Sequence, residues 1–134
     1  MKNVFGPIMV GLFKNSRFTY ARGIIIPSAS VSVGVPRISE ELQCAEILDR
    51  EYEVEIAELG TFRIFAVCTV DRVIIDGQEI SLRTAIHIGT FTTRRRIEYE
   101  LIVGRDLIDY WGLIVDELTG RIRSLVSKPV VTRY

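Results

Sequence analysis

Apolar residues in this chain fall in short β-branched runs rather than at helical spacing. Ile24 to Ile26 and Val31 to Val35 are two such runs, bounded by proline and glycine, and read as buried strands. Tyr52 to Ile56 alternates Tyr-Glu-Val-Glu-Ile, which predicts a half-exposed strand with its glutamates in water. Thr61 to Val70 continues in β-formers, so Ala57 to Gly60 between these runs is expected to form a hairpin turn. Asp76-Gly77, flanked by Val-Ile-Ile and Gln-Glu-Ile, is a strong two-residue hairpin signal. Leu82 to Ile88 and Ile97 to Val103 are further expected strands, the last alternating at first and then wholly apolar as it turns inward.

Helix signals are sparse. Ser39 is expected to cap a short helix over Glu40 to Cys44, with Glu40 and Glu41 at the positive end of its dipole. Asp106 is expected to cap a second, in which Leu107, Ile108 and Trp111 share one face and Gly112 ends the run. There is no linker, repeat or low-complexity segment. The pattern predicts one all-β domain, a barrel or sandwich with two short helices and mostly hairpin connections.

Composition sharpens this picture. The 134 residues are 48% apolar, enough to bury a core. Formal net charge is zero and the pI is about 6.6, which argues against general polyanion binding. The uncharged stretch from Gly23 to Pro36 is too short to cross a bilayer. Met1 to Phe13 does not read as a signal peptide, because Pro7 breaks the apolar run and no small-residue cleavage site follows. Cys44 and Cys68 make neither a disulfide framework nor a metal-ligand spacing, and are read as reduced thiols of a cytoplasmic protein. Two Asn and two Gln beside abundant Ile and Arg give a mildly thermophilic balance. No cofactor and no metal site is expected.

Two segments together resemble a known family. Leu101-Ile102-Val103-Gly104-Arg105-Asp106-Leu107-Ile108 resembles the hydrophobic-hydrophobic-Gly strand and following helix of retropepsin-like aspartic proteases, whose small prokaryotic and archaeal members often read Ile-Leu-Gly-Arg-Asp-Leu-Leu here. Leu113 to Asp116 and Thr119 to Ile122 fit the closing hairpin of that fold. The family's opening motif is roughly hydrophobic-hydrophobic-Asp-Thr-Gly-Ala-Ser-x-Ser-x-x-Pro, followed by a short helix rich in Glu and Leu. In that frame this chain reads Ile25-Ile26-Pro27-Ser28-Ala29-Ser30-Val31-Ser32-Val33-Gly34-Val35-Pro36, then Ile38 to Cys44. The resemblance is strongest over residues 20–122 of a single domain spanning 1–134. It implies a retropepsin-like acid-protease barrel, a homodimer with half a cleft per subunit, and a flap at Ala57, Glu58, Leu59 and Gly60. The apolar end from Ser124 to Tyr134 is then a candidate for the inter-subunit sheet.

The departures concern the chemistry. Pro27 stands where the family has its catalytic Asp, Ser28 where it has Thr, and Ala29 where it has Gly. Aspartic protease chemistry needs two carboxylates about 3 Å apart sharing one proton. A homodimer of this chain would supply none from that position, and no Asp occurs between Met1 and Cys44. Proline offers neither a titratable group nor a backbone N–H, and a serine hydroxyl is no base near neutral pH. The resemblance therefore implies a catalytically silent member, a dimeric peptide-binding or assembly module holding an extended peptide by strand addition.

Other candidates remain beside it. Asp76 has a protease-like hydrophobic lead-in but fits an Asp-Gly turn, and Asp116 fits the start of a turn. Ser28 or Ser30 with the sole histidine, His87, would form a Ser–His pair for an alternative hydrolase, though His87 between two isoleucines reads as a cross-strand residue. Arg94, Arg95 and Arg96 form the only charge run and could touch nucleic acid or an acidic partner, but Glu98 and Glu100 follow at once. Trp111 is expected in the core.

Overall fold

The computed structural model describes residues 4–56, 59–92 and 98–129, the last two (Lys128 and Pro129) by their backbone. A ten-stranded sheet holds β1 (Phe5–Lys14), β2 (Arg17–Ile25), β3 (Val33–Gly34), β4 (Glu46–Ile56), β5 (Gly60–Val70), β6 (Arg72–Ile75), β7 (Gln78–Ile80), β8 (Thr84–Phe91), β9 (Leu101–Val103) and β12 (Lys128–Pro129). A separate hairpin joins β10 (Leu113–Val115) to β11 (Ile122–Ser124). The helices are α1 (Pro36–Leu42) and α2 (Arg105–Tyr110).

Three consecutive isoleucines are explained by the middle of the sheet. β9 runs parallel to β2 and antiparallel to β3 in the middle of the sheet, and a buried cluster covers each face of these strands. Strands buried on both sides read as continuous apolar runs rather than alternating ones. Ile25, Leu101 and Val103 enter a core shared with Val10, Ile38 and Trp111, whereas Ile24, Ile26 and Ile102 enter a second core with Ile56, Phe62 and Ile64. Each fully buried isoleucine contributes roughly 1.5–3 kcal/mol.

Several expectations are met. The β4–β5 hairpin folds back between Ile56 and Gly60. Asp76 (φ 48°) and Gly77 (φ 75°) form the tight β6–β7 turn in which both residues are left-handed. Asp116 opens the β10–β11 turn, its Oδ1 accepting from the N–H of Leu118 at 2.9 Å. Trp111 is fully buried, and its Nε1 donates to Thr84 Oγ1 at 3.0 Å.

Others are corrected. The thiols expected at Cys44 and Cys68 are joined in a disulfide, because the turn after α1 sets their Cα atoms 5.2 Å apart. α1 starts at Pro36 rather than after Ser39, since proline fixes φ and lacks the N–H that a first helical turn leaves unpaired. Ser39 lies inside the helix and its hydroxyl donates to the carbonyl of Cys44. α2 is preceded by Gly104, with Asp106 in its first turn rather than at the cap. β1 and most of β2 escape the sequence reading, because Gly6, Pro7 and Gly11 interrupt the apolar pattern and a register shift between Phe5 and Ile8 absorbs the first two. Lys128 and Pro129, within the segment expected at a subunit boundary, pair in-chain with β7.

Candidate functional site

The loop between β2 and β3, residues 27–32, is fastened to the end of β9 through backbone bonds and one buried hydroxyl. The N–H of Ile26 donates to the carbonyl of Val103 at 2.9 Å, the N–H of Ala29 to Ile26 at 3.0 Å, and the N–H of Arg105 to Ala29 at 2.6 Å. Ser32, 1% exposed, accepts from the N–H of Gly104 at 2.7 Å and donates to Asp106 Oδ1 at 2.6 Å. Its own N–H donates to Asp106 Oδ2 at 3.2 Å. Both Asp106 carboxylate oxygens are therefore engaged in holding the loop. Gly104 sits under it with no room for a side chain: a Cβ there would lie 2.5 Å from the carbonyl oxygen of Val31 and 2.7 Å from that of Ala29.

At the mouth of this loop Pro27 is half-buried, Ser28 and Ser30 are exposed, and Ala29 is buried. Beside Pro27 opens a cleft of about 270 Å³ bounded by Phe5, Ile25, Ile108 and Val115, with Arg105 and Glu117 as its charged lining. On the opposite face Ala29, Val33 and Ile102 pack in one buried cluster with Ile56, Phe62 and Ile64 of the β4–β5 hairpin, and Leu59 leans on it. The hairpin thus lies against the loop.

Comparison with known proteins was made by sequence and by fold. No protein-family model matches the chain, and no curated protein matches it in sequence. The solved retroviral protease-like domain of Ddi1 from Leishmania major aligns with a TM-score of 0.59 over 93% of this chain and 94% of its own, at 15% identity. The fold is retropepsin-like. A retropepsin-like aspartic protease from Rickettsia conorii aligns at 0.46 and 15% identity over 87% of this chain and 85% of its own. Lpg0085 from Legionella pneumophila, a protein of unknown function, aligns at 0.40 and 13% identity over 84% and 91%.

Within this retropepsin-like domain the sequence candidates separate. Ile102, Val103 and Gly104 meet the loop of Pro27, Ser28, Ala29 and Ser30 as described. Of the four residues expected at the flap, Leu59 precedes β5 and Gly60 opens it, while Ala57 and Glu58 lie outside the described residues, as do Arg94, Arg95 and Arg96. The ring of His87 stands edge-on to Tyr52 at 6.1 Å, a cross-strand placement on β8. Asp76 is committed to the C-terminal hairpin, its Oδ2 accepting from the N–H of Ile122 at 2.7 Å. Ser32 and Asp106 each stand within one of the two matched motifs, but their bond to each other, which buckles the loop, is not part of the sequence reading. Among the described residues no group of three or more His, Cys, Asp or Glu gathers to hold a metal, and no helix is long and apolar enough to cross a membrane.

Next to the loop an ion network ties α1 to β2. Arg37 Nε donates to Glu100 at 2.7 Å and its Nη1 to Glu41 at 2.7 Å, while Glu100 also accepts from the N–H of Arg22 at 2.9 Å. Burial pushes Glu100 up, but the Arg22 N–H and the Arg37 guanidinium outweigh it and hold the carboxyl below its usual value. The Thr19 hydroxyl, then Arg37, holds Glu41 low as well. A folded pKa below the unfolded one stabilises fully above the ordinary carboxylate range, and that contribution is lost as pH falls through the lowered value. Glu100→Gln should therefore cost up to about 1 kcal/mol near pH 7, Glu100 being a third exposed, and nearly nothing near pH 3. Urea titrations of both proteins at the two pH values check this.

Proposed function

We propose that the chain is a catalytically silent, aspartic-protease-like protein that acts as a homodimeric peptide-binding or assembly module. The observation that carries this reading is Pro27 at the head of a loop whose frame is otherwise kept. Ser32, Gly104 and Asp106 still lock that loop to β9, and a hairpin still lies against it. What is missing is a carboxylate at the loop's head. Asp106 is occupied by Ser32, and among the described residues Glu117 is the one carboxylate lining the cleft beside Pro27. A loop held in place without its acid keeps a surface and loses a reaction. In the two-fold assembly the surface around Pro27 and Val115 would meet its own copy. An extended peptide would add main-chain hydrogen bonds to an exposed strand edge beside the hairpin.

The test is incubation of purified protein with a mixed peptide library from acid to neutral pH, with binding read in parallel by peptide retention. The expected result is retention of extended peptides with no cleavage product at any pH. Cleavage blocked by a statine-type transition-state mimic would overturn the reading. Cleavage lost in Glu117→Gln or Ser28→Ala would place the chemistry on that residue instead.

A further inference from the structure

We infer that the Cys44–Cys68 disulfide is a redox-operated clamp on the base of the β4–β5 hairpin. Three observations meet at this point. The first is where the bond attaches. Cys44 follows the left-handed Gln43 that ends α1 (φ 54°) and lies two residues before β4 begins, whereas Cys68 is near the end of β5, fully buried and paired to Ile86 of β8. One sulfur is thus anchored in a strand paired on both sides and the other at the entry to an edge strand.

The second is how little else holds that entry. β4 is the last strand of the sheet, and its first part has two ladder partners, Glu46 to Val67 and Ile47 to Ala66. The next paired residue is Tyr52, opposite Ile64, so residues 48–51 bulge out against Phe65 alone. Ile47 is 67% exposed, and of residues 46–51 only Leu48 packs inward, partly buried against the second core. Segments with few buried contacts and exposed backbone bonds open at low free energy. The disulfide is the strongest restraint on this one.

The third is access. Cys44 is half-buried and Cys68 is not exposed, so an attacking thiolate meets the Cys44 sulfur. A dithiol reductant would bond to Cys44, with Cys68 leaving as a thiolate that takes a proton. The reductant's second thiol then closes its own disulfide and releases Cys44 as a thiol, two electrons having passed to the protein. The freed segment 44–51 is the hinge of the hairpin that lies against the loop of residues 27–32. Reduction would therefore loosen the entry to that cover and the edge of the core that Cys44 packs against, while the β1–β2 hairpin stays closed.

Wild-type protein purified in air should show no free thiol when denatured without reductant, and two after dithiothreitol. Hydrogen exchange on the reduced protein should rise about tenfold or more across residues 44–51 and stay unchanged in β1 and β2. A Cys44→Ser/Cys68→Ser variant should show the loosened pattern with or without reductant. Two free thiols in the air-purified protein would overturn the inference. So would unchanged protection at 44–51, or a loss of protection across the whole sheet, which would make the bond a general staple rather than a clamp.

Discussion

Gly104→Ala is expected to destabilise the protein by about 3 kcal/mol or more, lowering the thermal midpoint by roughly 10 °C. The added methyl would meet two backbone oxygens at 2.5 and 2.7 Å, and neither can swing aside as a side chain would. Both belong to the loop of residues 27–32, which would have to lift. That movement also stretches the bond from the Gly104 N–H to Ser32, and through Ser32 the pair of bonds to Asp106. Overpacking usually costs about 1–3 kcal/mol, and coupling to a buried hydroxyl places this case at or above the top of that range. Urea denaturation of the two proteins measures it. A change below about 0.5 kcal/mol would mean that the loop is not locked onto β9 as described.

Trp111→Ala is expected to cost about 3–5 kcal/mol. The indole is the largest fully buried side chain, and it closes the core between α2, β1 and β8. Truncation leaves a cavity and removes the donor to Thr84, whose hydroxyl still donates to the carbonyl of Leu82 at 2.9 Å. Trp111→Phe should recover most of the loss and leave a deficit of about 1–2 kcal/mol for the missing N–H and the smaller ring. Trp111 is the sole tryptophan, so unfolding of both variants has to be followed by circular dichroism rather than by indole fluorescence. Equal stabilities for the Ala and Phe variants would show that packing is not what the residue contributes.

The fold was legible wherever local chemistry and tertiary context agree. Asp76-Gly77 forms its tight turn because both residues tolerate left-handed backbone, and Ile24 to Ile26 reads as a doubly buried strand because both its faces are covered. The first hairpin was hidden for a local reason. Gly6, Pro7 and Gly11 look like breakers, yet a register shift takes up Gly6 and Pro7 at a strand end, and Gly11 pairs with Tyr20 on one side and Ile74 on the other. The disulfide was illegible because two cysteines separated by 24 positions carry no pairing signal until the turn after α1 brings them together. The pairing of Ser32 with Asp106 was equally hidden although both lie in matched motifs, since a contact spanning 74 residues is set by the crossing of β9 between β2 and β3. The candidate loop itself was found through its frame of apolar residues and Gly104.

A wall one strand thick divides the interior of this protein, and its residues serve opposite tenants by parity. Positions 25, 101 and 103 answer to the compartment around the tryptophan, which keeps the molecule folded. Positions 24, 26 and 102 answer to the compartment under the covering hairpin, which shapes what that hairpin rests on. Substitution along the second set can therefore reshape what lies under the hairpin while leaving the first compartment as it is.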